Sequence, residues 1–270
     1  MNKLLLLTFF VFGSAIFQAQ VPDCVQCCCG TPIEVGVPGG NFEDPPYANP
    51  IIVYFAGQMY SSWTVNSGSI DLLGPNYLNW ATGNPNGATQ FIDLHGNTPG
   101  SFSTILNGLN VDYEYTIVLW YAKNAITPTA NCQIQVADGA WLDQTWTATN
   151  NGANGWLRKC FTFTALASTA ELKFTGTGPV VNGGVLLDDI TMYSCPPKSI
   201  PAFTDIPDDV SGIQCLKDVP PPPVLTVQDD CDNNPSIDYS ESTTGTPCNQ
   251  TITRTWTATN SCGATSSVVQ

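Results

Sequence analysis

From Ile51 to Tyr193 the apolar residues come in short runs, each closed by Gly, Asn or Pro. The runs are Ile51 to Phe55, Ser62 to Val65, Ser69 to Leu72, Thr89 to Leu94, Gly100 to Leu106, Tyr113 to Ala122, Cys132 to Ala137, Leu157 to Thr164, Ala170 to Thr175 and Val185 to Tyr193. Ten short segments at this spacing predict an antiparallel sandwich or barrel. Several alternate strictly. In Leu157 to Thr164, the residues Leu157, Lys159, Phe161 and Phe163 fall on one side, with Arg158, Cys160, Thr162 and Thr164 on the other. Such a strand packs one face and leaves the other wetter. No stretch after the first 20 residues repeats its apolar positions at helical spacing, and Lys, Glu and Arg, which exposed helices need, are scarce.

The chain begins with Lys3, an apolar run from Leu4 to Phe12, and small residues from Gly13 to Gln20. This is the order of an export signal, expected to be cleaved near Ala19 or Gln20. The run is too short to cross a bilayer, which takes about 20 apolar residues. Val21-Pro22-Asp23 before Cys24 speaks against a lipid-anchored cysteine. The organisation read from the sequence is a signal over 1–20, a Cys-rich segment over 21–34, a first domain over 35–195, a Pro-rich linker over 196–203 and a second domain over 204–270. Prolines set the linker because they lack the amide donor that a continuing ladder needs. Beyond it come acidic turns, an extended Pro220 to Pro223 stretch, four cysteines and strands at Val224 to Val227, Ile237 to Tyr239 and Thr251 to Thr259. That texture predicts a small immunoglobulin-like sandwich. The fold class is therefore all-β: an antiparallel sandwich or barrel followed by a small immunoglobulin-like sandwich. The chain stops at Val268-Val269-Gln270 inside an apparent strand, which predicts a second domain cut short at its C-terminus. Thr145 to Asn150 recurs verbatim as Thr255 to Asn260, but the flanks differ, so it reads as convergence on a Thr-rich strand.

A net charge of −14 argues against nucleic acid, whose binding needs Lys and Arg to neutralise phosphates. It suits an extracellular protein whose carboxylates stay solvated or bind hard cations. Eleven cysteines in an exported chain imply disulfides, and the odd number leaves one unpaired within it. Cys24, Cys27, Cys28 and Cys29 read as a staple to a neighbouring element, with Cys195 as a partner. The remaining pairs expected are Cys132 with Cys160, Cys231 with Cys262 and, by elimination, Cys215 with Cys248. Spacing alone leaves other connectivities open.

Residues 35 to 195 resemble the galactose-binding-like jelly-roll superfamily, specifically secreted carbohydrate-binding modules and the domain of unknown function 642. The carrying pieces are Gly40-Asn41-Phe42-Glu43, Trp63 to Asp71, Phe91 to Gly96, Gly100 to Ser103, Tyr113-Glu114-Tyr115, Phe161 to Ala165 and Leu187 to Ile190, in the family's order. The resemblance implies a jelly roll with a structural calcium held by Glu43 of the first strand and by Asp188 or Asp189 of the last. Adjacent strand residues point to opposite faces, so one of the two aspartates reaches the ion. The second domain resembles the hyalin-repeat (HYR) type of immunoglobulin-like module of bacterial surface proteins. Its pieces are Ile206 to Val210, Cys215, Val219-Pro220, Asp229 to Asp232 and Thr253 to Gly263.

No catalytic pattern assembles. The single His95 has no nucleophile context, and neither a G-x-S-x-G nor an H-E-x-x-H pattern occurs. Sugar binding needs aromatic planes for C–H faces and a few amide or carboxylate groups for hydroxyls. Tyr77, Trp80, Trp141, Trp146 and Trp156 are the candidate planes, whereas Trp63 and Trp120 read as core. Phe91, Asp93 and His95 share one side of a strand, opposite Ile92 and Leu94, and join the candidate ligand residues. The expected function is a noncatalytic secreted or cell-surface protein whose jelly roll binds carbohydrate or cell-wall polysaccharide and whose second domain displays it. The alternatives are an adhesion or assembly protein that binds other surface proteins, and a polysaccharide hydrolase, which needs only two suitably placed carboxylates.

Overall fold

The structure is a computed structural model that describes residues 21–74, 77, 89–152, 155–178, 183–246 and 249–270. The expected signal over 1–20, Trp80 and Cys248 lie outside the described residues.

Thirteen strands precede the Pro-rich stretch: β1 (Ile33–Val35), β2 (Ile51–Phe55), β3 (Met59–Tyr60), β4 (Trp63–Ser67), β5 (Ser69–Leu73), β6 (Phe91–Asp93), β7 (Ser101–Asn107), β8 (Glu114–Lys123), β9 (Ala130–Val136), β10 (Leu142–Ala148), β11 (Leu157–Thr164), β12 (Thr169–Thr177) and β13 (Val185–Cys195). They form two antiparallel sheets. One runs β11-β8-β13-β6-β5-β2, and the other β10-β9-β12-β7-β4-β3. Strand β13 is long enough to serve two neighbours on one edge. Its start pairs with β6 (Leu187 opposite Ile92), and its end pairs with β1 (Met192 opposite Val35). A register shift between Asp188 and Thr191 separates the two halves.

The inner faces meet in one core. Alternation sends Ile70 and Leu72 of β5, Ile92 of β6, Tyr115, Ile117 and Leu119 of β8, and Phe161 and Phe163 of β11 inward. Trp63, Phe102 and Phe174 pack at its centre, with the Trp63 and Phe102 rings 4.5 Å apart. Burying such side chains contributes about 1.5–3 kcal/mol each, which is why the period-2 pattern governs the architecture.

Gly39 to Glu43, read as a first strand, is a turn. Gly39 has φ 61° and Phe42 φ 54°, and the Phe42 ring tucks into the core beside Trp63 at 5.7 Å. The segment still meets the last strand: the Ile190 amide donates to Gly40 O at 2.8 Å. A Cβ on Gly40 would lie 2.2 Å from Ile190 O, so only glycine permits this approach. Trp120 also departs from expectation. It alternates outward on β8, where the Arg158 guanidinium lies 4.9 Å above its ring.

After the Pro-rich stretch come β14 (Ala202–Phe203), β15 (Val227–Gln228), β16 (Ser236–Thr246), β17 (Asn249–Thr259) and β18 (Thr265–Val269), with a 3-10 turn at Leu216–Asp218. β14 pairs with β15, and β16-β17-β18 form a three-stranded sheet. Among the described residues only Leu225, Trp256 and Ala258 are buried apolar side chains here. So small a core is marginal without covalent help.

Four disulfides supply it, and they correct the expected pairing. Cys24 bonds Cys160, Cys27 bonds Cys195, Cys28 bonds Cys262 and Cys29 bonds Cys231. The expected Cys132–Cys160 pair fails because the two side chains face different ways. Cys132 points into the core with Ala130, Ile134 and Val136 and stays a buried free thiol. Cys160 lies on the outer face of its sheet beside Val118 and Val25. Cys231 and Cys262 each take an N-terminal partner in place of one another, and Cys215 is an exposed free thiol. The staple to Cys195 is present, and the same six-residue segment also binds the second half of the chain.

Candidate ligand-binding site

The outer face of the β5-β6-β13-β8 sheet brings together several residues singled out in the sequence. Because β5 and β6 send Ile70, Leu72 and Ile92 inward, Asp71, Leu73, Phe91 and Asp93 face outward. Leu73, Phe91, Ala122, Leu186 and Trp156 form a second apolar cluster there, flanked by half-buried Tyr77 and Trp120. Phe91 and Trp156 meet edge to face with centroids 5.3 Å apart. Aromatic pairs favour that arrangement, because the positive edge of one ring meets the negative face of the other.

An acid pair adjoins this cluster. Asp71 of β5 stands directly opposite Asp93 of β6. Asp93 is 1% exposed, and its Oδ1 accepts from the backbone amides of His95 (2.9 Å) and Gly184 (2.8 Å). Its Oδ2 accepts from Asn124 Nδ2 at 2.7 Å. Burial pushes Asp93 up to about 6, against the lowering effect of those three donors. Asp71 has no such donors, and its Oδ1 is buried without a hydrogen-bond partner. Burial, then repulsion from Asp93, push Asp71 up to about 7. Tyr77 links acids and aromatics: it packs on the apolar cluster, hydrogen-bonds Asn124 and lies within electrostatic reach of both carboxyls.

His95, two residues beyond β6, is 2% exposed and wedged between two glycines. A Cβ at Gly176 would sit 2.5 Å from its Cδ2, and one at Gly184 2.8 Å away. Phe91, Asp93, His95 and Trp156 are thus a buried floor and not an open groove. Asp71, Tyr77 and Trp120 are the half-buried members that a ligand can touch.

The other expected planes lie elsewhere. Trp146 projects from β10 into the sandwich core, 5.0 Å from Phe161 and 6.1 Å from Tyr121. Trp141 is half-buried and stacks on Phe163 at 6.0 Å. Both are packing residues, because their strand and its turn aim them at the inner face. Asp71 and Asn124 went unnoticed in the sequence. The available signal was Asp71 alternating with Ile70 and Leu72, and it gains meaning only through the register that sets it opposite Asp93.

Glu43, Asp188 and Asp189 were expected to hold calcium. Glu43 Oε1 accepts from the amides of Thr89 (2.6 Å) and Gln90 (2.9 Å), and Oε2 from the Thr89 hydroxyl (2.6 Å). Asp188 is fully buried opposite Trp120 and accepts from the Asp189 amide at 2.7 Å. Asp189, at φ 53° in the β13 irregularity, is half-buried and raised by burial, then by Glu34 and Glu43, with Arg158 acting against them. Among the described residues no group of three His, Cys, Asp or Glu is placed to hold an ion. The Glu43 oxygens are thus turned to protein donors, and hydrogen bonds join this segment to Thr89 and Gln90.

A cavity of about 1080 Å³ lies in the C-terminal part of the chain between residues 209–216 and β17. Arg254 on its wall is already engaged by Glu241 at 2.9 Å and by Pro220 O at 2.7 Å, and no aromatic ring lines it. Its chemistry suits a sugar less well than the outer face of the first sandwich.

Residues 203–270 match the family model for the HYR-like domain with 4 cysteines. Over 134 residues the chain is 26% identical to halomucin of Haloquadratum walsbyi (strain DSM 16790 / HBSQ001), a match covering 49% of this chain and 1% of that protein. The chain therefore spans only a very small part of the curated relative it matches. Among solved structures it is similar to a family 35 carbohydrate binding module from Clostridium thermocellum, with a TM-score of 0.35 and 12% identity over 60% of this chain and 98% of that one. It is also similar to TmCBM61 in complex with beta-1,4-galactotriose, with a TM-score of 0.38 and 12% identity over 57% and 94% of the two chains. No site residue is carried over from them.

Proposed function

We propose that the β-sandwich of β1 to β13 is a noncatalytic carbohydrate-binding module, displayed outside the cell by the HYR-like half of the chain. The observation that carries this reading is the outer-face arrangement of Tyr77 and Trp120 over a Phe91–Trp156 floor, beside the under-bonded Asp71. Aromatic planes cover the C–H faces of a pyranose, and carboxylates accept its hydroxyls. An extracellular location is supported by the four disulfides, which persist in oxidising compartments. Among the described residues no helix is long and apolar enough to cross a membrane.

A binding role is favoured over hydrolysis by the acid pair itself. Asp93 is buried and held by three protein donors, which leaves only Asp71 of the pair open to a ligand. Glycosidases instead place two carboxyls on either side of the scissile bond. The test is a glycan array and polysaccharide pull-down with the full chain, run beside a reducing-sugar assay. Retention without sugar release is expected. Failure to retain any glycan, or release of reducing ends, would overturn the reading.

A further inference from the structure

We propose that Asp71 is the specificity-determining residue of this site and that it selects neutral, hydroxyl-rich glycans over uronic acids and other anionic sugars. The inference rests on the carbohydrate reading above and narrows it to a ligand class.

The case starts from the state of the hydrogen bonds. Asp93 is fully engaged by three protein donors, so it is a structural carboxylate. Asp71, its cross-strand neighbour, receives none, although one of its oxygens is buried. A buried polar atom normally has a partner, and one left without calls for an explanation. A second group is unmatched on the same face. Trp156 is 6% exposed, packs on Phe91 and has an indole N–H that meets no acceptor. Trp146 Nε1 is unmatched too, but it lies in the core between the sheets. Asp71 itself is only half-buried, so its second oxygen, which no protein donor engages, is the acceptor this aromatic face offers to a sugar hydroxyl.

Charge sets the class of ligand. An anionic sugar would need a cation, and among the described residues no Lys or Arg forms a salt bridge with Asp71 or Asp93. Lys123 Nζ donates to Thr127 O at 2.7 Å and to Asn124 O at 3.5 Å. Arg158 stacks over Trp120 and lies within electrostatic reach of Asp189. A uronate carboxylate would face Asp71 and Asp93 with nothing to offset them, and like charges in a partly desolvated site repel strongly. A neutral hydroxyl meets no such opposition.

The test uses the full chain and calorimetric titration with two sets of probes: neutral oligosaccharides (β-1,4-galactan, mannan and glucan fragments) and oligogalacturonates of equal length. At least one neutral probe is expected to bind tenfold or more tightly than any oligogalacturonate. Asp71→Asn, which keeps shape and removes charge, is expected to weaken the neutral probe about tenfold and to bring the two classes within about threefold of each other. Circular dichroism of Asp71→Asn confirms that the variant is folded. Equal binding of both classes by the unmodified chain overturns the inference while leaving the carbohydrate reading intact. An unchanged preference in Asp71→Asn does the same. Absence of binding to either class overturns both.

Discussion

Replacing Asp71 with Asn should stabilise the protein at alkaline pH and leave it nearly unchanged at acid pH. Asp71 is raised from 3.8 to about 7 by burial and by Asp93. A carboxyl held above its unfolded value binds its proton more tightly in the folded chain. Its ionisation is therefore a cost that is absent below about pH 4 and grows as pH rises through the folded value. A rise of roughly 3 units corresponds to about 4 kcal/mol. Asp71 keeps part of its surface in solvent, which screens the charge, and halving the figure leaves about 2 kcal/mol. Asn carries no charge and escapes this cost. The advantage of Asp71→Asn should therefore run from near zero below pH 4 to about 2 kcal/mol at pH 8, most of it appearing between about pH 4 and 7. Because Asp93 sits opposite and titrates with Asp71 as a pair, the curve should be broader than that of a single group. Urea unfolding of both proteins at several pH values, without reductant, measures the difference directly. Taking the difference cancels the other acids, including Asp232 and Glu241, which are lowered and act in the opposite sense. A difference that is flat with pH, or that grows toward acid, would refute the reasoning.

Three further outcomes follow from the packing and the covalent frame. Gly176→Ala places a methyl 2.5 Å from the His95 ring, and overpacking of this kind should cost about 1–3 kcal/mol in urea unfolding. It should also weaken glycan binding in the pull-down, because His95 supports Asp93 through its amide. Maleimide labelling of the native chain should modify exposed Cys215 and spare buried Cys132. Peptide mapping without reduction should recover Cys24–Cys160, Cys27–Cys195, Cys28–Cys262 and Cys29–Cys231, and recovery of Cys132 bonded to Cys160 would contradict the fold.

Where one face of a strand is buried, period-2 alternation made it legible. Leu157–Thr164 coincides with its predicted limits for that reason, whereas Ile51–Phe55, which has no buried face, was legible from its run of β-branched and aromatic residues. β10 escaped notice because Leu142-Asp143-Gln144-Thr145 shows no apolar alternation, and its burial is confined to Leu142, Trp146 and Ala148. The outward grouping of Phe91, Asp93 and His95 was readable from the same period, but their burial was not, since it depends on Trp156 and on Gly184 arriving from distant parts of the chain. Asp71 became visible only through strand register. The disulfides were misread because spacing is silent on which face a cysteine occupies, and Cys132 and Cys160 occupy different ones.

The N-terminal segment has a consequence for how the two halves stay together. Cys24 and Cys27 tie it to β11 and β13, while Cys28 and Cys29 tie it to the turns at Cys262 and Cys231. The halves are therefore joined twice, once by peptide bonds through residues 196–203 and once by sulfur. A protease that cuts within 196–203 would nick the chain without releasing either half, and a reductant alone would leave them in one polypeptide. Only both insults together would part them, so their union survives either one alone.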